Sequence, residues 1–141
     1  MRYMEKPSRS LIRQLVHLAL KHRQELVQPR YQKEFPHPVW GLCYVLAEAY
    51  YHLEGKRLGF KPKVCLLSLD NSGESLWSTN HWYLERPDDF ECIDPVVEHL
   101  TKMHRFGIYY FKIRGCGFLT KKPSKRARDL MYWYKQHAVL D

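Results

Sequence analysis

Three residues in this 141-residue sequence have the types that nucleophilic acyl chemistry needs: a thiol at Cys43, an imidazole at His81 and a carboxylate at Asp94. Cys43 follows a proline-rich stretch (Pro36, His37, Pro38) and then Trp40 and Gly41, and it opens a segment with helical spacing. At a helix start the peptide N–H groups are still unpaired, and the positive end of the helix dipole favours a thiolate, the nucleophilic form of cysteine. Read alone, a cysteine followed by apolar residues at helical spacing is ordinarily a small core residue. His81 and Asp94 fall on the two arms of a predicted hairpin. A turn centred between Pro87 and Asp88 places them directly opposite, with β-carbons about 4.5–5.5 Å apart. A carboxylate there holds one imidazole nitrogen as a donor and leaves the other to accept a thiol proton. The plain alternative is a polar cross-strand pair on the sheet surface, and a bulge or three-residue loop would shift the register and separate the two. Taken together, a thiol at a helix start and a His–Asp pair on the following strands have the logic of covalent thiol catalysis.

The elements that must position these residues are legible from periodicity. Leu11, Ile12, Leu15, Val16, Ala19, Leu26 and Val27 give a helix over about residues 10–27 with one buried stripe, ending before Pro29. A second, buried helix runs from about Gly41 to Leu53, with Cys43, Leu46, Ala47, Tyr50 and Leu53 on one side. Lys63 to Leu69 has the length and apolar content of a strand. Thr79 to Glu85 and Phe90 to Asp94 form the hairpin about Arg86, Pro87, Asp88 and Asp89, and Ile108 to Ile113 is a further strand. Pro123 to His137 makes a final helix, with Pro123 and Ser124 suited to its first positions. This order predicts a single α+β domain over residues 1–141: an antiparallel sheet of three to five strands packed against helices, with a catalytic-type core over about 40–113.

Composition narrows the classes further. A chain of 17.0 kDa with 45% hydrophobic and 14% aromatic residues is a folded globule and not a disordered tail. No apolar run approaches a membrane span, and Leu11 to Leu20 is interrupted by Arg13, Gln14 and His17. Cys43, Cys65, Cys92 and Cys116, without paired close spacing or a signal sequence, point to reduced thiols and a cytoplasmic protein. Cys65 falls in an apolar strand and reads as core, Cys92 shares the face of Asp94 by period two, and Cys116 lies between two glycines. No cofactor is expected. A zinc site joining these cysteines with His52 or His104 lacks the usual ligand spacing.

The net charge of +8 is unevenly spread: residues 1–30 hold seven Lys/Arg against two Asp/Glu, and residues 101–141 hold ten against two. Lys121, Lys122, Lys125, Arg126 and Arg128, followed by Tyr132, Trp133 and Tyr134, form the densest basic run. Two readings stay open for it: a solvated helix face, or a non-catalytic binding surface for nucleic acid or an acidic protein.

Around the three candidate residues the blocks GLCYVLAEAYYH, NHWYLE and ECIDPV resemble the transglutaminase-like branch of the papain-like cysteine peptidase superfamily, over about residues 40–97. Small bacterial and phage proteins with this triad share the same look, which for a phage protein implies the host cytoplasm. The resemblance implies Cys43 as nucleophile, His81 as general base and acid, and Asp94 as the residue that orients His81. It implies a papain-like core and hydrolysis of an amide, isopeptide or ester bond in a peptide or protein conjugate, favoured over crosslinking for so small a domain. The backbone N–H of Cys43 is a natural first oxyanion donor. In papain-like enzymes a polar side chain shortly before the nucleophile supplies the second; here His37 and Trp40 are the candidates, and neither is the usual glutamine.

Overall fold

The computed structural model describes residues 4–27, 39, 41–70, 77–103 and 107–140. In chain order these form α1 (Arg9–Lys21), α2 (Arg23–Leu26), α3 (Cys43–Tyr50) continued by a π-helical turn (Tyr51–Gly55), β1 (Lys61–Asp70), β2 (Trp77–Arg86), β3 (Glu91–Ile93), α4 (Pro95–Met103), β4 (Gly107–Gly115) and α5 (Lys125–Leu140). The four strands pair antiparallel in the order β3-β2-β1-β4, so the chain is an α+β fold. Among the described residues no helix is long and apolar enough to cross a membrane.

α3 is the hub of this arrangement. It packs on β2 and also against α1, α4 and α5, and Val45, Leu46, Ala47, Glu48, Ala49 and Tyr50 are all buried. Burial on every side is why its sequence, CYVLAEAY, has little polar face. The one charge in it, Glu48, is fully buried and accepts hydrogen bonds from Ser124 N–H (3.2 Å) and Ser124 Oγ (2.6 Å). Ser124 in turn caps α5, its Oγ accepting from Ala127 N–H at 3.3 Å. Similarly Glu54, just past α3, accepts from the Ser8 N–H and the Tyr50 hydroxyl, both at 2.8 Å. Ser8 caps α1, so carboxylates of the central helical segment anchor the N-termini of both terminal helices.

The helix expected over residues 10–27 is broken in two at His22, whose ring leaves the helical path and stacks on Trp133 of α5 with centroids 3.9 Å apart. The helix expected from Pro123 begins at Lys125, with Ser124 as its cap. α4 was not anticipated from periodicity. Its signal is the dipeptide Asp94–Pro95: aspartate is a strong N-cap, and proline is tolerated at the first helical position while it cannot continue a ladder.

The hairpin register differs from the expected one by two residues. Leu84 pairs with Ile93, Glu85 with Cys92 and Arg86 with Glu91, so the loop is residues 87–90 rather than 86–89. Arg86 sets this register. Its guanidinium forks onto both oxygens of Asp89 at 2.9 Å, donates to the carbonyls of Glu5 (2.7 Å) and Leu58 (3.3 Å), and lies over the Phe60 ring. Phe90 closes the turn at φ 59°, with its N–H donated to the Arg86 carbonyl. A shift of two keeps every side chain on its face, so His81 and Asp94 become diagonal neighbours, a spacing that His and Asp side chains still bridge.

Arg86→Ala strips a nearly fully buried cation from this turn and orphans two carbonyls and Asp89. The expected loss is on the order of 3 kcal/mol. Arg86→Lys recovers less than half of it, because an ammonium cannot fork. Urea denaturation of the two variants beside the parent protein measures both, and an Arg86→Ala midpoint equal to the parent's contradicts this role.

Candidate active site

Asp94 leaves the end of β3 and caps α4. Its Oδ1 accepts from Val97 N–H at 3.2 Å and its carbonyl from Glu98 N–H at 2.9 Å. That leaves Oδ2 turned toward the sheet, where it accepts two short hydrogen bonds of 2.7 Å each, from His81 Nε2 and from the Tyr110 hydroxyl. His81 is 1% exposed and Asp94 7%. The carboxylate is therefore held by a helix N-terminus, a ring nitrogen and a phenol at once.

Cys43 is the first residue of α3, half-buried and without a disulfide. Gly41, two residues earlier, has φ 86°, a backbone conformation that a side chain strains, so the glycine is what lets the chain swing into the helix at this point. The N-cap Leu42 gives no side-chain hydrogen bond to the first turn, and the first intrahelical bond runs from Leu46 N–H to the Leu42 carbonyl. The Cys43 N–H is thus one of the donors that a helix start leaves without an acceptor inside the helix. The Cys43 thiol stands close enough to the His81 side chain to help raise the pKa of that imidazole. With Nε2 taken by Asp94, Nδ1 is the ring nitrogen left for the sulfur.

The electrostatics follow from this packing. Burial is the largest single influence on His81 and works to lower its pKa; the charge and hydrogen bond of Asp94, together with Cys43, outweigh it and bring the imidazole up to about 10. His81 is thereby held as an imidazolium at neutral pH. Burial, reinforced by the Asp94 charge and hydrogen bond, raises the Tyr110 hydroxyl far above the usual phenol range, so it stays a donor. Cys65, directly across the ladder from His81, is buried; desolvation, then the charges of Asp94 and Cys43, push its thiol up to about 12. The two cysteines near the imidazole therefore differ in kind: Cys65 is a neutral core thiol, as its strand position implied, while Cys43 stands at a helix start against His81.

Tyr110 is the site residue that sequence reasoning missed. It belongs to β4, paired to Leu67 of β1, and its ring lies near those of His81 (centroids 6.3 Å) and Tyr83 (5.4 Å). Only the β1–β4 register brings it to Asp94, and that register contains a bulge between Val64 and Leu66, near Lys112 at φ 52°. No local pattern in the sequence encodes it.

The other expected participants lie elsewhere. Cys92 is exposed and turns its sulfur to Glu85 Oε2 (3.8 Å) and the Phe90 carbonyl (3.7 Å), because Asp94 departs into α4 and no longer shares a strand face with it. Cys116 is half-buried beside the Gly117 carbonyl. His37, Trp40 and His104 lie outside the described residues. Among the described residues no three His, Cys, Asp or Glu side chains gather as a metal site. In the basic run, Lys121, Lys122, Lys125 and Arg128 are exposed and Arg126 is half-buried. Lys125 pairs with Asp129, and Trp133 is taken up by its stack on His22.

The sign of the His81 shift gives a pH dependence. A folded-state value above the ordinary ~6.5 means that the pair's stabilisation is complete below about pH 6.5 and is lost as pH rises toward 10. In Asp94→Asn the main influence opposing burial is gone, so the His81 value should fall well below about 10. Imidazole proton resonances followed through a pH titration read this directly; a His81 midpoint unchanged by Asp94→Asn contradicts the assignment. No family model, curated protein or solved structure matches this chain, so the family likeness rests on its three sequence motifs.

Proposed function

We propose that the protein catalyses thiol-dependent acyl chemistry, with hydrolysis of an amide, isopeptide or ester bond as the reaction. The observation that carries this reading is the line Cys43–His81–Asp94: a thiol at a helix start beside a buried imidazole whose Nε2 is held 2.7 Å from a carboxylate.

In the acylation step the Cys43 thiolate attacks the carbonyl carbon of the substrate. The oxygen takes up the negative charge where the Cys43 N–H can donate to it. The tetrahedral species collapses as the imidazolium of His81 gives its proton to the departing amine or alcohol, leaving a thioester on Cys43. His81, now neutral, removes a proton from water, which attacks the thioester and releases the acid. The proton taken from water stays on His81 and the sulfur leaves as thiolate, which restores the starting pair. Asp94 holds the ring in orientation throughout and offsets its positive charge; Tyr110, through its hydrogen bond to Asp94, is a positioning residue. A peptide or protein conjugate is the proposed substrate class, and a reducing compartment such as the cytoplasm suits a thiol nucleophile.

Activated acyl esters and aminoacyl amides test the reading by product release and by intact-mass detection of an acyl adduct. Cys43→Ala should remove both signals while keeping the thermal transition, and His81→Ala should lower the rate about 10²–10⁴-fold. Tyr110→Phe keeps the ring and loses the hydroxyl; a smaller rate loss with a displaced pH–rate profile is expected. Turnover retained by Cys43→Ala rejects the proposal.

A further inference from the structure

A cavity of about 540 Å³ opens between the turn that follows α3, the start of β1 and the segment leading from β4 to α5. We propose that it binds a di- or triphosphate group.

Lys56, Lys61, Lys63 and Lys121 all line this cavity, and they come from three separate stretches of the chain. None of them forms an ion pair among the described residues. Glu85, the cross-strand partner of Lys61 in register, meets the Cys92 thiol instead. Lys63 Nζ reaches over to Gly115 on the neighbouring strand, where an added Cβ would meet it at 3.9 Å. Ammonium groups brought to one concave surface repel each other until an anion joins them.

The second observation is independent of charge. His52, also in the lining, has its Nε2 buried with no hydrogen-bond partner among the described residues. Burial, with Lys56 adding to it against the opposing pull of Glu48, keeps its pKa below the ordinary histidine range. At neutral pH it is an uncharged ring with one N–H to donate. A buried ring nitrogen without a partner, beside a recess that four lysines line, calls for an acceptor that arrives with a ligand.

Phosphate oxygens satisfy both features. A terminal phosphoryl group carries about −1.5 to −2 charges near neutral pH, so a chain of two or three phosphates answers four ammonium groups where a lone carboxylate does not. The volume falls in the small-molecule range of roughly 300–1,000 Å³. Phe118, also in the lining, stacks on Trp82 with centroids 5.7 Å apart. None of Cys43, His81 and Asp94 lines this cavity, so its ligand is not the acyl group handled at Cys43.

Calorimetric titration of the full chain with inorganic tripolyphosphate and with ATP, in about 100 mM salt, tests the site. Saturable one-site binding in the micromolar range is expected. The Lys61→Ala/Lys63→Ala double variant should weaken it about tenfold or more, while Lys122→Ala/Lys125→Ala, outside the cavity, changes it less than about twofold. His52→Phe, which removes the donor without touching charge, should also weaken binding. Equal affinity for the two ligands assigns recognition to the phosphates; tighter ATP binding adds the cavity's aromatic wall. Cys43→Ala should leave binding unchanged, which keeps this site separate from the acyl chemistry. No saturable binding of either ligand, equal losses in the two lysine double variants, or binding of an oligonucleotide without binding of tripolyphosphate overturns the proposal. Lys63→Gln serves in place of the double variant if that variant fails to fold.

Discussion

Burying an imidazole beside a carboxylate is costly: the effective penalty is several kcal/mol per ion, and it is offset only where the geometry is good and the remaining hydrogen-bonding positions are filled. The pairing of His81 and Asp94 meets that condition through three different elements. The N-terminus of α4 supplies Val97 N–H to one carboxylate oxygen, while β2 and β4 supply His81 and Tyr110 to the other. Much of the fold's local detail follows from that requirement. β3 is only three residues long because Asp94 must leave the sheet to cap a helix, and Tyr110 reaches it because β4 lies beside β1 in the observed register.

The thiol depends on a second set of constraints. α3 carries Cys43 at its first residue and is packed by α1, α4, α5 and β2, which fixes its start relative to His81. Gly41 makes the entry possible, and Glu48 and Glu54, on and just beyond the helix, fasten the caps of α5 and α1. Displacing α3 along its axis would move the sulfur, two helix caps and the core leucines together, so precise placement of the nucleophile comes from the packing of the whole helical layer.

What the sequence carried and what it did not divides along a physical line. Cys43, His81 and Asp94 were legible because each sits where local chemistry marks it: Gly-x-Cys at a helix start, His on one arm of a hairpin, Asp at the end of the other. Their convergence survived an incorrect register because a slip of two preserves facing, whereas a slip of one would have sent His81 to the far face. The slip itself arose from Arg86, whose partners include Glu5 and Leu58, residues remote in sequence. Tyr110 and the lysine-lined cavity were invisible for the same reason: β4 meets β1 across about forty residues of intervening chain. α4 was missed although Asp94–Pro95 announced it, since Asp94 had been read only as the end of a strand.

The central claim is that His81 governs the reactivity of Cys43. The direct measurement is the pH dependence of alkylation at each cysteine, read by peptide mass spectrometry in the parent protein and in His81→Ala. Cys92 is the internal reference: it is exposed, and partial burial together with the Glu85 charge raises its pKa, so it should react only at alkaline pH. The account predicts that Cys43 alone is alkylated rapidly below about pH 7 and that His81→Ala abolishes this. Alkylation of Cys43 with the ordinary midpoint near about 8.5, the same with and without His81, would contradict it.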